Sequence, residues 1–242
     1  MQKDDIRLAL QLMKQELKVS WFSFIGLFLY FSLFSILFYT GFSAQGARFV
    51  GLDLFFIMLF VFGPIWFKAK GLQFQKISSS TWASPTVVLA LSLPIQKQVI
   101  VIKSILMYLL SSLPYQLYMF VALYLISPTI RDMMEIDAYI SLTIIWLSFG
   151  IYTGLGVLII DIGSNTNVSK LTTFLSILLL LGVILLIFYF PFFFTYGVVE
   201  WTIIIANKWP FLSAIISIIA AVVGFNYWKS KMIKQFKQVD FL

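Results

Sequence analysis

The stretch WFSFIGLFLYFSLFSILFYT, Trp21 to Thr40, decides the fold class. Its 20 residues carry no charge, and a bilayer-spanning helix needs roughly 17 to 25 mostly apolar residues. Five further runs meet the same test: Phe49 to Phe67, Ser104 to Ile126, Ala138 to Ile160, Leu171 to Phe190 and Phe211 to Trp228. The chain therefore reads as an all-α integral membrane protein with six transmembrane helices.

Composition agrees. Of 242 residues, 61% are apolar, 18% aromatic and 11% charged, whereas a soluble domain is about half apolar and about a quarter charged. The 26 phenylalanines and a mean hydropathy of +0.97 also exclude a disordered or fibrous chain. Cysteine and histidine are absent, which removes disulfides, thiol nucleophiles, imidazole bases and nearly all zinc chemistry. About half of residues 1–242 lie in the spans, and the rest form short connections and two tails. No segment can house a separate soluble domain, so any soluble activity must come from a partner.

The first run follows a charged segment of about 20 residues and has no small-residue cleavage site at its end, so it is expected to be a retained helix rather than a signal peptide. With a cytoplasmic N-terminus, the inner segments carry Lys3, Arg7, Lys14, Lys18, then Lys68, Lys70, Lys76, Lys97, Lys103, then Lys170, then Lys229, Lys231, Lys234 and Lys237. Only Arg48, Arg131 and Lys208 of the 17 basic residues fall outside. The positive-inside rule thus predicts six spans with both termini in the cytoplasm. The same rule assigns the net charge of +7 to cytoplasmic loops rather than to nucleic-acid binding. Within the six runs the only formal charge is Asp53, near the outer end of the second. Ion-driven carriers place ionisable groups at mid-membrane, and this interior has none.

Several positions within and between the spans stand out. Pro114 frees a backbone carbonyl in the third span, with Ser112 and Gln116 four apart beside it; they read either as a hinge or polar spot in a path, or as a packing kink that bonds a neighbouring helix. Gly150 and Gly154 form a GxxxG in the fourth span, suited to close helix contact within the chain or in a dimer. In residues 1–20, Lys3, Arg7, Lys14 and Lys18 share one helical face, beside a ridge of Ile6, Leu10, Met13 and Leu17. That pattern predicts an interfacial helix with snorkelling basic stems, the alternative being a solvated leader that fixes orientation. Residues 68–103 form a long inner segment with an irregular elbow at Ser78 to Thr81. A helix is expected to begin at Ser92, with Pro94 in its first turn, and to run through Lys103 into the third span. It presents Gln96, Lys97 and Gln98 to a partner's groove or simply to solvent.

Six spans, an amphipathic N-terminal helix and the element Leu93-Pro94-Ile95-Gln96-Lys97-Gln98-Val99-Ile100-Val101-Ile102-Lys103 resemble the permease subunits of type-2 ATP-binding cassette (ABC) exporters. Gln75 to Thr81 does not reproduce the acidic, Gly-Thr-containing stretch that precedes this element in that family. The resemblance implies a coupling helix at Pro94, Ile95, Gln96, Lys97, Gln98 and Val99 pressing into a cytoplasmic ATPase. It also implies an interfacial helix from Lys3 to Lys18 and a second inner contact from Asp161 to Lys170. Between the last two spans it implies an outer re-entrant hairpin at residues 191–210, where Phe192, Phe193, Phe194 and Trp201 fit a half-buried outer gate or an aromatic interfacial belt.

No GxxxxGK(S/T) loop is present, so the chain is not expected to bind nucleotide, metal or any other cofactor itself; ATP and Mg would sit on the partner ATPase. The expected function is transport rather than enzymatic catalysis. Two such subunits, identical or paralogous, would pair around a path in a bacterial cell membrane and export amphipathic or hydrophobic cargo. The permeases it most resembles export peptides such as phenol-soluble modulins or give self-protection against antimicrobial peptides. The competing readings are a stand-alone bacteriocin immunity or scaffold protein and an intramembrane enzyme, the latter opposed by the absence of paired ionisable groups in the spans.

Overall fold

The computed structural model of the protein describes residues 3–45, 50–69, 72–76, 81–161, 164–165 and 170–238. In chain order it forms α1 (Lys3–Val19), α2 (Trp21–Gln45), α3 (Val50–Trp66), β1 (Gln75–Lys76), β2 (Thr81–Ala83), α4 (Pro85–Ser92), α5 (Lys97–Ile126), α6 (Pro128–Met133), α7 (Ile136–Asp161), β3 (Ser164–Asn165), α8 (Lys170–Phe194), α9 (Val198–Lys208) and α10 (Pro210–Gln238). The architecture is all-α apart from a three-stranded scrap of sheet. Among the described residues five helices, α2, α5, α7, α8 and α10, are long and apolar enough to cross a membrane. This makes the protein membrane-embedded and multi-pass. The helix at the second expected span, α3, is apolar but has 17 residues, at the short limit for spanning.

Helix ends differ from the apolar runs because nothing in the sequence stops a helix where its hydrophobicity stops. The long helix α5 begins at Lys97, seven residues before Ser104, and α10 continues past Trp228 to Gln238. On that extension Met232 and Phe236 are buried while Lys229, Lys231 and Lys234 are not, so the helix becomes amphipathic as it leaves the apolar layer. The long helix α8 passes through Pro191 and ends at Phe194, followed by Thr195, whose φ of 68° lies in the left-handed region.

The main core lies between α2, α3, α5, α7 and α9 and is strongly aromatic. Trp146 meets Phe56 and Phe60 at ring separations of 5.0 and 5.3 Å, and Phe38 meets Phe56 at 4.4 Å. These aromatic side chains are thus packed interior within one chain.

Glycines make room for large side chains at two helix contacts. Tyr108 and Gln116 of α5 lie on Gly154 and Gly150 of α7, and Trp228 and Tyr152 cross the α7–α10 contact over Gly156 and Gly224. The GxxxG therefore serves packing within the chain. By contrast, α8 exposes nearly every described side chain, Ile187 being the one buried residue among those described. Hydrocarbon or another apolar surface must cover it.

Candidate functional site at the basic end of the bundle

Four elements meet at one end. The N-terminal helix α1 lies on the first turns of α5, where Ala9 and Leu12 pack against Val99, Ile102, Ile95 and Leu106. The packed face is thus Ala9, Leu12 and Glu16. It is neither the basic face nor the ridge: Arg7, Lys14 and Lys18 are exposed, as are Ile6 and Leu10, while Met13 and Leu17 are half-buried. The helix is docked on one side and leaves its basic stripe and half its apolar ridge outward. The side chain of Lys3 lies outside the described residues.

The expected helix from Ser92 to Val99 is not continuous. Helix α4 ends at Ser92, residues 93–96 form an elbow, and α5 starts at Lys97 with Gln96 in the capping position. Pro94 is the cause: it pushes Leu93 into extended geometry (φ −91°, ψ 153°) and cannot donate a helical hydrogen bond. Ser92 does not cap; its hydroxyl donates back to the carbonyl of Leu89 at 2.8 Å. Of the residues assigned to coupling, Pro94, Gln96, Lys97 and Gln98 are exposed, Ile95 is half-buried and Val99 is buried under α1. Lys97 Nζ donates to the carbonyl of Phe236 at 2.8 Å. A cation thus satisfies an orphan carbonyl at the negative end of α10 and ties that helix to α5.

A second tie is ionic. Lys103 is paired with Glu16, their side chains 6% and 14% exposed. The third tie is main-chain: β2 pairs antiparallel with β1 (Gln75 with Ala83, Lys76 with Trp82) and with β3 (Thr81 with Asn165, Trp82 with Ser164). The connection after α7 is thereby bound to the connection after α3. Residues 162–163 and 166–169 of the implied second inner contact, and the elbow residues Ser78 to Ser80, lie outside the described residues.

At the opposite end the lone carboxylate of the apolar runs finds its reason. Asp53, 2% exposed, accepts the amides of Val198 and Val199 at 2.7 and 2.8 Å, so it caps α9 from another helix. Residues 191–210 comprise the end of α8, a turn and a docked helix, in which Val199, Ile203 and Ala206 are buried. Phe192 and Phe193 are 79% and 80% exposed, and Phe194 53%, in place of the half-buried gate expected of them. Trp201 is on α9, edge-on to Tyr196 at 5.8 Å.

In mid-span, α5 runs through Pro114. Tyr108 donates to the carbonyl of Gly150 at 2.8 Å, and Gln116, fully buried, has its carboxamide beside Gly150 with neither polar atom hydrogen-bonded. Pro114 and Gln116 therefore belong to the α5–α7 interface.

Sequence reasoning missed Glu16, Asp53 as a cap, and Lys103 as a buried cation. The available signal was that a carboxylate amid basic or apolar neighbours needs a partner from elsewhere in the chain. Among the described residues no group of three or more His, Cys, Asp or Glu could hold a metal ion. In comparisons with protein families, curated proteins and solved structures, no family, protein or structure matches this chain.

Proposed function

We propose that the protein is the membrane-spanning subunit of an ATP-driven exporter of the type-2 ABC class. It spans a bacterial cell membrane six times with both termini in the cytoplasm, and it moves amphipathic or hydrophobic cargo such as peptides. ATP and Mg belong to a separate ATPase, and a second permease subunit completes the path. The observation that carries the reading is the linkage at the basic end. Helices α1 and α10 and the two connecting segments are all tied to α5 or to one another, by Glu16–Lys103, Lys97–Phe236 and the sheet. A push on the exposed tip at Pro94, Gln96 and Gln98 would therefore reach α5, α1 and α10 together, as an engine working from outside the bilayer requires. The apolar circumference of α8 supports pairing with a second subunit. Clustering of basic residues at this end supports its placement in the cytoplasm.

The test is to purify the protein from its native membrane, identify what accompanies it by mass spectrometry, and assay ATPase activity. A stoichiometric ATPase with vanadate-sensitive turnover, stimulated by amphipathic peptides, is expected. Because Lys97 also caps α10, the docking variant is Gln96→Glu with Gln98→Glu, which should release the ATPase while the protein stays folded. Recovery of the chain alone and without turnover would replace the exporter reading with a stand-alone immunity or scaffold protein.

A further inference from the structure

The ion pair between Glu16 and Lys103 borders a small cavity among α1, α2, α5 and the connection after α3, with a volume of about 60 Å³. A water takes about 30 Å³ in the liquid and a singly held one as little as about 15 Å³, so the space has room for about two to four waters and for no larger solute. A cavity of this size is wet where polar groups line it and dry where they do not.

This one is lined by hydroxyls. Ser20, just ahead of α2, and Ser23 in its first turn face Ser104 and Ser111 of α5, with the Lys103 ammonium beside them. Ser20 is 3% exposed, and its hydroxyl has no hydrogen-bond partner in the protein, a loss that a water in the cavity makes good. Ser111 donates to the carbonyl of Tyr108 at 3.0 Å and can still accept. Lys103 carries three N–H groups, one of which serves Glu16. A water here therefore meets the two to four polar partners that hold one in place. From Lys103 to Ser111 the wall advances about 12 Å along α5, into the uncharged part of a helix long and apolar enough to cross a membrane. At the ion pair the cavity meets a wider, open groove of about 260 Å³ between α1 and α4, which shares Glu16, Leu72, Thr86 and Lys103 with it.

The main core supplies the contrast. A space of about 20 Å³ there is lined by Phe42, Phe56, Leu123, Met134, Tyr139 and Val199 among others, and the Tyr139 hydroxyl is already spent on the carbonyl of Phe120 at 2.7 Å. It is large enough for one water but offers that water almost no partner, so it stays dry.

We propose that the cavity beside Glu16 and Lys103 is a water inlet. Water enters from the basic end through the groove between α1 and α4, bonds to Lys103, Ser20, Ser104 and Ser111, and stands beside Tyr108 within the apolar layer. The inference rests on the cavity and its lining and not on the ATPase partnership, so it is tested on the chain alone.

The experiment is X-ray radiolytic footprinting of the purified full-length protein in detergent, in which hydroxyl radicals formed from water in place mark the nearest side chains, with the products mapped by mass spectrometry. Tyr108 lines the inlet and Tyr139 the dry space. They are 3% and 6% exposed, and each donates its hydroxyl to a backbone carbonyl, at 2.8 and 2.7 Å. The pair is thus matched in burial and bonding and differs in contact with water. Tyr108 is expected to be modified at least fivefold faster than Tyr139. Ser20→Leu, which fills the cavity and removes its unpartnered hydroxyl, should bring Tyr108 down to the rate of Tyr139, whereas Ser35→Ala, further along α2, should leave it unaltered. Equal rates for Tyr108 and Tyr139 in the unaltered protein would overturn the proposal, and that comparison decides even where Ser20→Leu does not fold. A Tyr108 rate left unchanged by Ser20→Leu in a folded protein would overturn it as well.

Discussion

Glu16, in the last turn of α1, and Lys103, in the second turn of α5, are separated by 87 residues in sequence and form an ion pair at the point where α1 meets the rest of the bundle. With side chains 6% and 14% exposed, neither group retains a full hydration shell, and each is the other's compensation. Removing one partner leaves an uncompensated charge in a poorly hydrated place.

Glu16→Gln or Lys103→Met alone is therefore expected to lower stability by about 3 kcal/mol, and the double replacement by clearly less than the sum of the two. Thermal unfolding of the detergent-solubilised protein across this double-mutant cycle is the measurement. Strict additivity would mean that the two side chains do not depend on one another.

Asp53 and Gly197 form a second such relationship at the far end. The carboxylate holds two amides at the start of α9, and a Cβ on Gly197 would stand 2.5 Å from its Oδ2. Asp53→Ala should cost about 1–2 kcal/mol, the usual scale of a lost helix cap. Hydrogen exchange at Val198 and Val199 should accelerate about tenfold for each 1.4 kcal/mol. Gly197→Ala should produce the same local effect with Asp53 in place. Unchanged exchange in both variants would contradict the cap.

How far the fold was legible follows from these pairs. Length and hydropathy are local properties, so five of the six expected spans could be read directly from their runs; α3 proved short at 17 residues. The elbow at Leu93 to Gln96 is not legible in the same way, because a proline fits the first turn of a helix and equally forces the preceding residue out of helical geometry. The packed face of α1 was hidden for a different reason. Ala9, Leu12 and Glu16 make a narrow stripe that only the surface of α5 selects from three candidate faces. Phe192 and Phe193 illustrate the remaining ambiguity: an aromatic run looks the same in the sequence whether it closes a gate or faces lipid.

The GxxxG gives a prediction about assembly. Any Cβ on Gly154 would overlap the ring and hydroxyl of Tyr108. Gly154→Ala is expected to destabilise by about 1–3 kcal/mol through overpacking, and Tyr108→Leu in the same chain should recover part of the loss. Native mass spectrometry should find the oligomeric state unchanged, since the contact is intramolecular. A change of oligomeric state without loss of stability would return the motif to a subunit interface.

Six spans with cytoplasmic termini require the two ends of the bundle to face opposite compartments. The protein has no cysteine of its own, so Leu93→Cys and Trp209→Cys, at positions each 51% exposed, report on one end each. A membrane-impermeant maleimide added to intact cells should label the second and reach the first only after lysis. Labelling of both in intact cells would rule out the assigned orientation or the span count.

The small sheet is the tie most open to a direct chemical test. Thr81 and Asn165 are Cα partners across β2 and β3, and directly opposed antiparallel residues lie about 4.5–5.5 Å apart, within the range a disulfide bridges. Thr81→Cys with Asn165→Cys should therefore crosslink on mild oxidation and shift mobility on a denaturing gel. Lys76 and Ser164 both oppose Trp82, from either side, which places them two strand spacings apart, about 9–10 Å. Cysteines there should stay reduced, because that separation exceeds what a disulfide spans. If the connection after α7 moves with the connection after α3, as an external engine acting on both demands, the Thr81–Asn165 crosslink should leave ATPase turnover of the intact complex within about twofold of the reduced form. A crosslink that forms readily but halts turnover would show that the two connections must separate during the cycle, and the sheet would then belong to one state of the protein rather than to its rigid frame.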